Sequence, residues 1–259
     1  MKKLIFFQYI SIFFICLFLF PGCGLEEYYV VEAPFRRQTN PTVSDSGDAA
    51  AFDTAYFDFY TNDSANSTSA VSAFKYMGTA VYYKIYNNYS TMNSQISAVS
   101  SISSSTNSSS AFPRLQSYGY QELGVSGRNV SPLIPASSGK DQRVFIRLTN
   151  YHEPTDKSGE EWKNYAYRAK IVVDDNEKYL PMRQDNTKSF DFGRKNNNGD
   201  YDKPKSGEDD VNFGTASKED IYYVTLYAVA VGHDNSFTNY YSNVLYLGSV
   251  AINAAEEDN

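Results

Sequence analysis

The sequence predicts a mainly β protein: an antiparallel β-sandwich with large loop insertions and one short helix. Three observations predict it. Aromatic residues make up 16% of the 259-residue chain, with 23 tyrosines and 17 phenylalanines against one tryptophan, and such side chains suit a pleated, half-buried surface. Segments of apolar and polar alternation recur along the chain, the signature of strands with one face buried. Clusters of Gly, Asn, Asp and Ser separate these segments, as turns do.

At the N-terminus, Lys2 and Lys3 precede an almost wholly apolar run from Leu4 to Phe20, broken by Gln8 and Ser11. That is the pattern of a secretory signal peptide. At 17 residues the run is at the short limit for spanning a bilayer. Glu26 and Glu27 follow it, where a membrane anchor would carry a basic stop-transfer cluster. The run ends Phe20-Pro21-Gly22-Cys23. The segment resembles the lipobox of bacterial lipoproteins, in the looser form of the spirochaete lipoproteins: Gly22 and Cys23 match the pattern, and Phe20 and Pro21 depart from its strict version. The resemblance implies cleavage after Gly22, a diacylglyceryl group on the Cys23 thiol and acylation of the new amine by palmitate-like chains. Each buried methylene contributes about 0.8 kcal/mol, so two or three chains hold a protein on a bilayer. The expected location is the bacterial cell envelope, on the periplasmic face or the cell surface. Cys16, the other cysteine, lies inside the segment to be removed, which leaves Cys23 no disulfide partner.

Removal of residues 1–22 from the 259-residue chain leaves 237 residues and shifts the net charge from −7 to −9 by taking away Lys2 and Lys3. That length supports one large domain or two small ones. An acidic chain without a basic patch is a poor nucleic-acid binder, and it assigns membrane attachment to the acyl chains. Residues 23–50 read as a lipidated Cys and flexible tether, punctuated by Pro34, Pro41 and Gly47 without periodicity. The sandwich is expected over residues 51–252, with insertions at 97–111 and 194–210, and residues 253–259 as an acidic tail.

Within the domain, residues 54–63 alternate, with Ala55, Phe57 and Phe59 opposite Tyr56, Asp58 and Tyr60. Residues 73–88 form the next strand, with Val81, Tyr83 and Ile85 on one face and Gly78 at a bend. Met92, Ile96 and Val99 have helical spacing, with Ser90 as the expected cap. The serine-rich stretch that follows reads as a loop. Residues 143–151 and 165–175 are strands around a loop, and residues 189–193 a short strand. Residues 194–210 read as a polar loop without core-forming residues. The strongest pair is residues 221–232 and 242–252. In the first of these, Tyr222, Val224, Leu226 and Ala228 are expected inside and Tyr223, Thr225 and Tyr227 more exposed.

That last pair, with Tyr222-x-Val224-x-Leu226-x-Ala228, Gly232 at the turn and Ser242-Asn243-Val244 opening the final strand, resembles the last two strands of fibronectin type III domains. Residues 78–86 resemble that family's third strand. The resemblance implies a fibronectin-like, immunoglobulin-like sandwich with large insertions, or another sandwich with similar last strands. The strand before lacks the family's core tryptophan, whose space falls to Phe57 and Phe59.

Catalytic chemistry leaves few marks. His152 and His233 adjoin turn signals, in no paired metal-ligand spacing, and read as surface histidines. No G-x-S-x-G elbow or phosphate loop is present. Asn196, Asn198, Asp200, Asp202, Glu208, Asp209 and Asp210 supply hard oxygens, but an EF-hand register would place Arg194 and Lys205 at ligand positions. The expectation is therefore a solvated loop, with no metal, no cofactor and no catalytic residue assigned. The function expected is a membrane-anchored exported lipoprotein, non-enzymatic, binding a protein or glycan ligand through its loops or serving a structural role in the envelope. The alternatives are an envelope- or host-directed hydrolase using paired carboxylates and a small-ligand carrier with an aromatic pocket.

Overall fold

Two long strands, residues 74–86 and 221–234, form the middle of the molecule. The computed structural model describes residues 29–45, 54–67, 73–106, 108–128, 131–150, 168–183, 186–193, 195 and 198–255. In chain order the elements are β1 (Phe35–Arg36), β2 (Phe57–Tyr60), α1 (Asp63–Asn66), β3 (Phe74–Tyr86), α2 (Tyr89–Ser103), a 3-10 turn at Ser108–Ser110, α3 (Ala111–Ser117), β4 (Gln121–Glu122), β5 (Gly124–Val125), β6 (Ile134–Pro135), β7 (Arg143–Arg147), β8 (Lys170–Val173), β9 (Asn176–Tyr179), β10 (Pro181–Met182), β11 (Val211–Asn212), β12 (Ile221–Asp234), β13 (Asn239–Tyr241) and β14 (Leu245–Asn253).

The protein is mainly β, and its two main sheets stack as a sandwich. One sheet has the order β1-β2-β7-β8-β9, all antiparallel. The other is built on β3, β12 and β14. β13 pairs with the far end of β12, and β10 pairs with β5 separately. The outer edge of β3 is closed by three short strands in succession: β6 at Gly78–Thr79, β4 at Tyr82–Tyr83 and β11, parallel, at Ile85–Tyr86. An uncovered edge of that length would be a template for pairing with other chains.

Alternation places Val81, Tyr83, Ile85, Val224, Leu226 and Ala228 between the sheets, against Phe57, Phe59, Val144, Ile146 and Ile171. Tyr222, Val224, Leu226 and Ala228 are buried as expected. Tyr223, Thr225 and Tyr227 are not exposed; all three are fully buried. The reason is a third layer. Helices α2 and α3 lie over the outer face of the β3–β12 sheet, and Met92, Val99, Phe112 and Leu115 pack there with Tyr86, Tyr120, Tyr223 and Tyr227.

Several expected boundaries move. The serine-rich segment is helical through Ser103, and the cap of α2 is Asn88, whose Oδ1 accepts from the Thr91 amide at 2.8 Å, rather than Ser90. Serine is a modest helix former, so burial of Val99 carries this helix where propensity does not. Residues 189–193 make no strand; Phe190 and Phe192 reach the core from a turn. β12 runs past Gly232 to Asp234. Gly232 is there for space: a Cβ would lie 2.2 Å from Cζ of Phe74. Ala254, expected in the tail, is buried and donates its amide to the Asp220 carbonyl at 2.7 Å.

The largest correction concerns the tether. Residues 29–45 belong to the sandwich. Val31 is buried with Tyr76 and Ala230, and Asn66 exchanges hydrogen bonds with the Glu32 backbone at 2.8 and 2.9 Å. β1 forms the edge of the first sheet, where prolines nearby are tolerated. Pro41 packs against Gly248, which sits at φ +125° beside a bulge, and its carbonyl accepts from the Ser249 amide at 3.0 Å.

Candidate functional site

The acidic loop is the richest polar cluster, and it is centred on a residue the sequence did not single out. Arg183 follows β10 and is 2% exposed. Its Nε donates to Asp210 Oδ2 at 2.7 Å and its Nη2 to Asp210 Oδ1 at 2.6 Å, a two-pronged pair. Nη2 also donates to Glu208, and Nη1 to the Asp202 carbonyl at 3.2 Å. Tyr83, from the middle of β3, donates its hydroxyl to Asp210 Oδ2 at 2.6 Å. Lys188 donates to Glu208 Oε1 at 2.9 Å, and the Ser189 amide and hydroxyl both donate to Asp202 Oδ2 at 2.8 Å.

Burial alone would raise the Glu208 carboxyl, but Arg183 and Lys188 outweigh it and hold it below its ordinary value. The Arg183 guanidinium loses hydration on burial, yet Asp210 and Glu208 more than compensate and hold its proton more tightly. Lys84 runs under the same loop, donating to the carbonyls of Asp209 at 2.9 Å and Gly119 at 3.1 Å; burial lowers its pKa. Thus Asp202, Glu208 and Asp210 are spent on holding the loop to β10 and β3. This corrects the reading of residues 194–210 as a solvated loop: Asp202 and Asp210 are buried. A cleft of about 600 Å³ opens beside it, lined by Lys188, Asp200, Tyr201, Asp202, Lys203 and Lys205 among others. Two of those lysines are paired, Lys188 with Glu208 and Lys203 with Asp220.

The other buried carboxylates serve the fold in the same way. Asp58, on β2, bonds to Arg37 at 2.6 Å and Arg143 at 3.0 Å. Asp63 accepts from Tyr76 at 2.9 Å, the Ser137 amide at 2.6 Å and Gln142 at 3.0 Å.

Glu122 on β4 is different. Its Oε2 accepts from the Ser131 hydroxyl at 3.0 Å, while its Oε1 is buried without a hydrogen-bond partner among the described residues. Burial raises its pKa. A carboxyl with that property is the residue type that serves as a general acid. The sequence offered only a weak signal for it: one acidic residue, after Gln121, directly before the apolar Leu123.

The tyrosines of the helix-covered face form a second polar interior. Tyr86 donates to Gln95 Oε1 at 2.8 Å and lies 3.1 Å from the Tyr120 hydroxyl. The hydroxyls of Tyr223 and Tyr227 have no partner among the described residues.

The remaining sequence candidates are dispersed. His233 is the penultimate residue of β12, half-buried, with Nδ1 2.8 Å from the Asp234 carbonyl and its ring stacked on Phe237. Asn198 and Asp200 line the cleft. Cys23, His152 and Asn196 lie outside the described residues. No helix among the described residues is long and apolar enough to cross a membrane, and no group of three or more His, Cys, Asp or Glu among them is placed to share a metal ion. Comparisons with family models, curated proteins and solved structures find no match to this chain.

Proposed function

We propose that this chain is an exported lipoprotein, acylated at Cys23, that holds a β-sandwich close to a bacterial envelope membrane and binds a protein or glycan ligand through its loops. The observation that carries the reading is the join between anchor and fold. Gly22-Cys23 closes an apolar run, and only residues 24–28 separate Cys23 from the first described residue of the sandwich, Tyr29. A binding role rather than a catalytic one is supported by the use of Asp58, Asp63, Asp202, Glu208 and Asp210 as cross-links of the fold.

The finer reading of the sandwich as fibronectin type III-like is supported by strand order. β3, β12 and β14 neighbour one another in one sheet, as do β1, β2 and β7 in the other. The insertions then fall between β3 and β7 and between β9 and β12.

The test is metabolic labelling with an alkyne palmitate. Wild type and Cys16→Ser take up label, and Cys23→Ser does not; equal labelling of all three defeats the proposal. A second reading, a hydrolase, is favoured by Glu122 alone. Loss of a glycan-hydrolysing activity in Glu122→Gln, with folding intact, would establish it.

A further inference from the structure

Two of the exposed large apolar side chains among the described residues lie at one end of the β3–β12 sheet. The large apolar side chains most open to solvent are Phe237, 79% exposed, and Val30, 78% exposed. Both belong to the same end. Strand register sets Phe74 opposite Asp234 and Lys75 opposite His233, and β13 returns with Asn239 opposite His233. Phe237 is in the turn between them. Tyr29 stacks on Phe74 with ring centres 5.2 Å apart and meets Tyr240 edge-on, also at 5.2 Å.

Phe237 stacks one face on His233, ring centres 5.2 Å apart, and leaves most of its surface in water. It sits at φ +61°, a conformation that suits Gly or Asn and penalises a bulky side chain. A large aromatic placed at a strained turn and left in water is better explained by a partner than by packing.

The partner is indicated by the chain itself. Cys23 is six residues before Tyr29, a reach of at most about 20 Å even fully extended. β3 runs for 13 residues, Phe74 to Tyr86, which is about 40 Å. The short link therefore brings the end bearing Tyr29 to the anchoring bilayer and keeps the opposite end away from it. Aromatic rings beside a charged stem suit the headgroup layer. Lys75 can extend its ammonium to phosphates. The charge of Asp234 is already engaged by the Ser236 amide and hydroxyl, the Thr238 amide and the Tyr240 hydroxyl, at 2.7 to 3.2 Å.

We propose that this end, with Phe237 at its tip and Val30, Tyr29, Phe74 and Tyr240 beside it, docks into the interfacial layer of the bilayer to which Cys23 is acylated. The proposal rests on the lipoprotein reading above. Docking fixes the orientation of the sandwich: the acidic-loop end near β11 points away from the membrane, towards any ligand.

The test uses full-length protein from cells, reconstituted in phosphatidylcholine vesicles whose acyl chains carry bromine. Phe237→Trp is compared with Phe213→Trp, a control at the far end beyond β11, where Phe213 is also exposed. Signals are read as differences from wild type, which contains Trp162. Docking predicts that the Phe237→Trp emission shifts to the blue and is largely lost to bromine quenching, while that of Phe213→Trp is retained. Vesicle flotation of wild type with equal, unquenched signals from both variants overturns the docking and leaves the anchor standing. A blue shift at Phe237→Trp without quenching would assign the surface to a second copy or another protein, and also overturns it. Failure of wild type to float removes the anchor, and the docking with it.

Discussion

Arg183 holds Asp210 through two parallel hydrogen bonds of 2.7 and 2.6 Å, 27 residues apart in the chain and almost wholly out of water. Removing one partner leaves a buried charge without its counter-ion, which costs about 3–5 kcal/mol. Arg183→Met and Asp210→Asn are each expected to lower the stability of the domain by that order in urea titration. For the same reason, replacing residues 194–210 with a short Gly/Ser linker destabilises the domain. An unchanged midpoint in these variants would mean that the loop is not a structural cross-link.

Glu208 makes part of this stability depend on acid. Its folded pKa lies below the unfolded value, which for glutamate is about 4.3. The unfolded chain therefore takes up the proton first. The Glu208 contribution is fully present above about pH 5 and is lost as pH falls through the folded value. Wild type is expected to be more stable than Glu208→Gln at pH 7, and the gap should close towards pH 3. Denaturation midpoints across that range check it.

Glu122 has the opposite sign. Burial raises its folded pKa, so the native state binds that proton more readily than the unfolded chain does. The penalty is complete at neutral pH and vanishes once both states are protonated. Glu122→Gln is expected to stabilise the domain by about 1 kcal/mol at pH 7 and to be neutral near pH 3, below the unfolded value of about 4.3. A thermal melt at the two pH values decides this.

The two kinds of tyrosine under the helices separate in the same way. Tyr227 buries a hydroxyl without a partner among the described residues, and Tyr86 buries one that donates to Gln95. Tyr227→Phe is expected to be neutral or stabilising by up to about 1 kcal/mol, and Tyr86→Phe to cost about 1 kcal/mol. Loss of stability in both variants would place an unseen partner on Tyr227.

Burial of both faces of β12 also alters what a surface threonine should cost. Thr225 is buried, with its hydroxyl 2.9 Å from that of Ser249. Leu226→Ala is expected to cost about 2–5 kcal/mol, and Thr225→Ala a smaller but measurable amount, because Ser249 would lose one of its two hydroxyl partners and keep only Tyr246, 3.0 Å away. Chemical denaturation of the two variants checks both, and a neutral Thr225→Ala would return that face to solvent.

The sequence by itself determined which side chains share a face. Alternation sets Tyr222, Val224, Leu226 and Ala228 on one side of β12 and Tyr223, Thr225 and Tyr227 on the other, because the period of two is a property of the extended backbone. It also determined the lipidation candidate, since Gly22-Cys23 is a contiguous motif that needs no fold to be read. Only the tertiary structure decided that the second face of β12 is covered, because α2 and α3 lie more than 100 residues earlier in the chain and their serines conceal a packed stripe. Only it decided that residues 29–45 pack into the sandwich, because Val31 finds its neighbours on β3 and β12. The loop of residues 194–210 looked solvated for the same reason: composition records that Asp202, Glu208 and Asp210 are charged, but not that Arg183 is waiting for them. Backbone preference acts residue by residue and is legible locally; burial and charge pairing depend on groups that meet only when distant segments fold together.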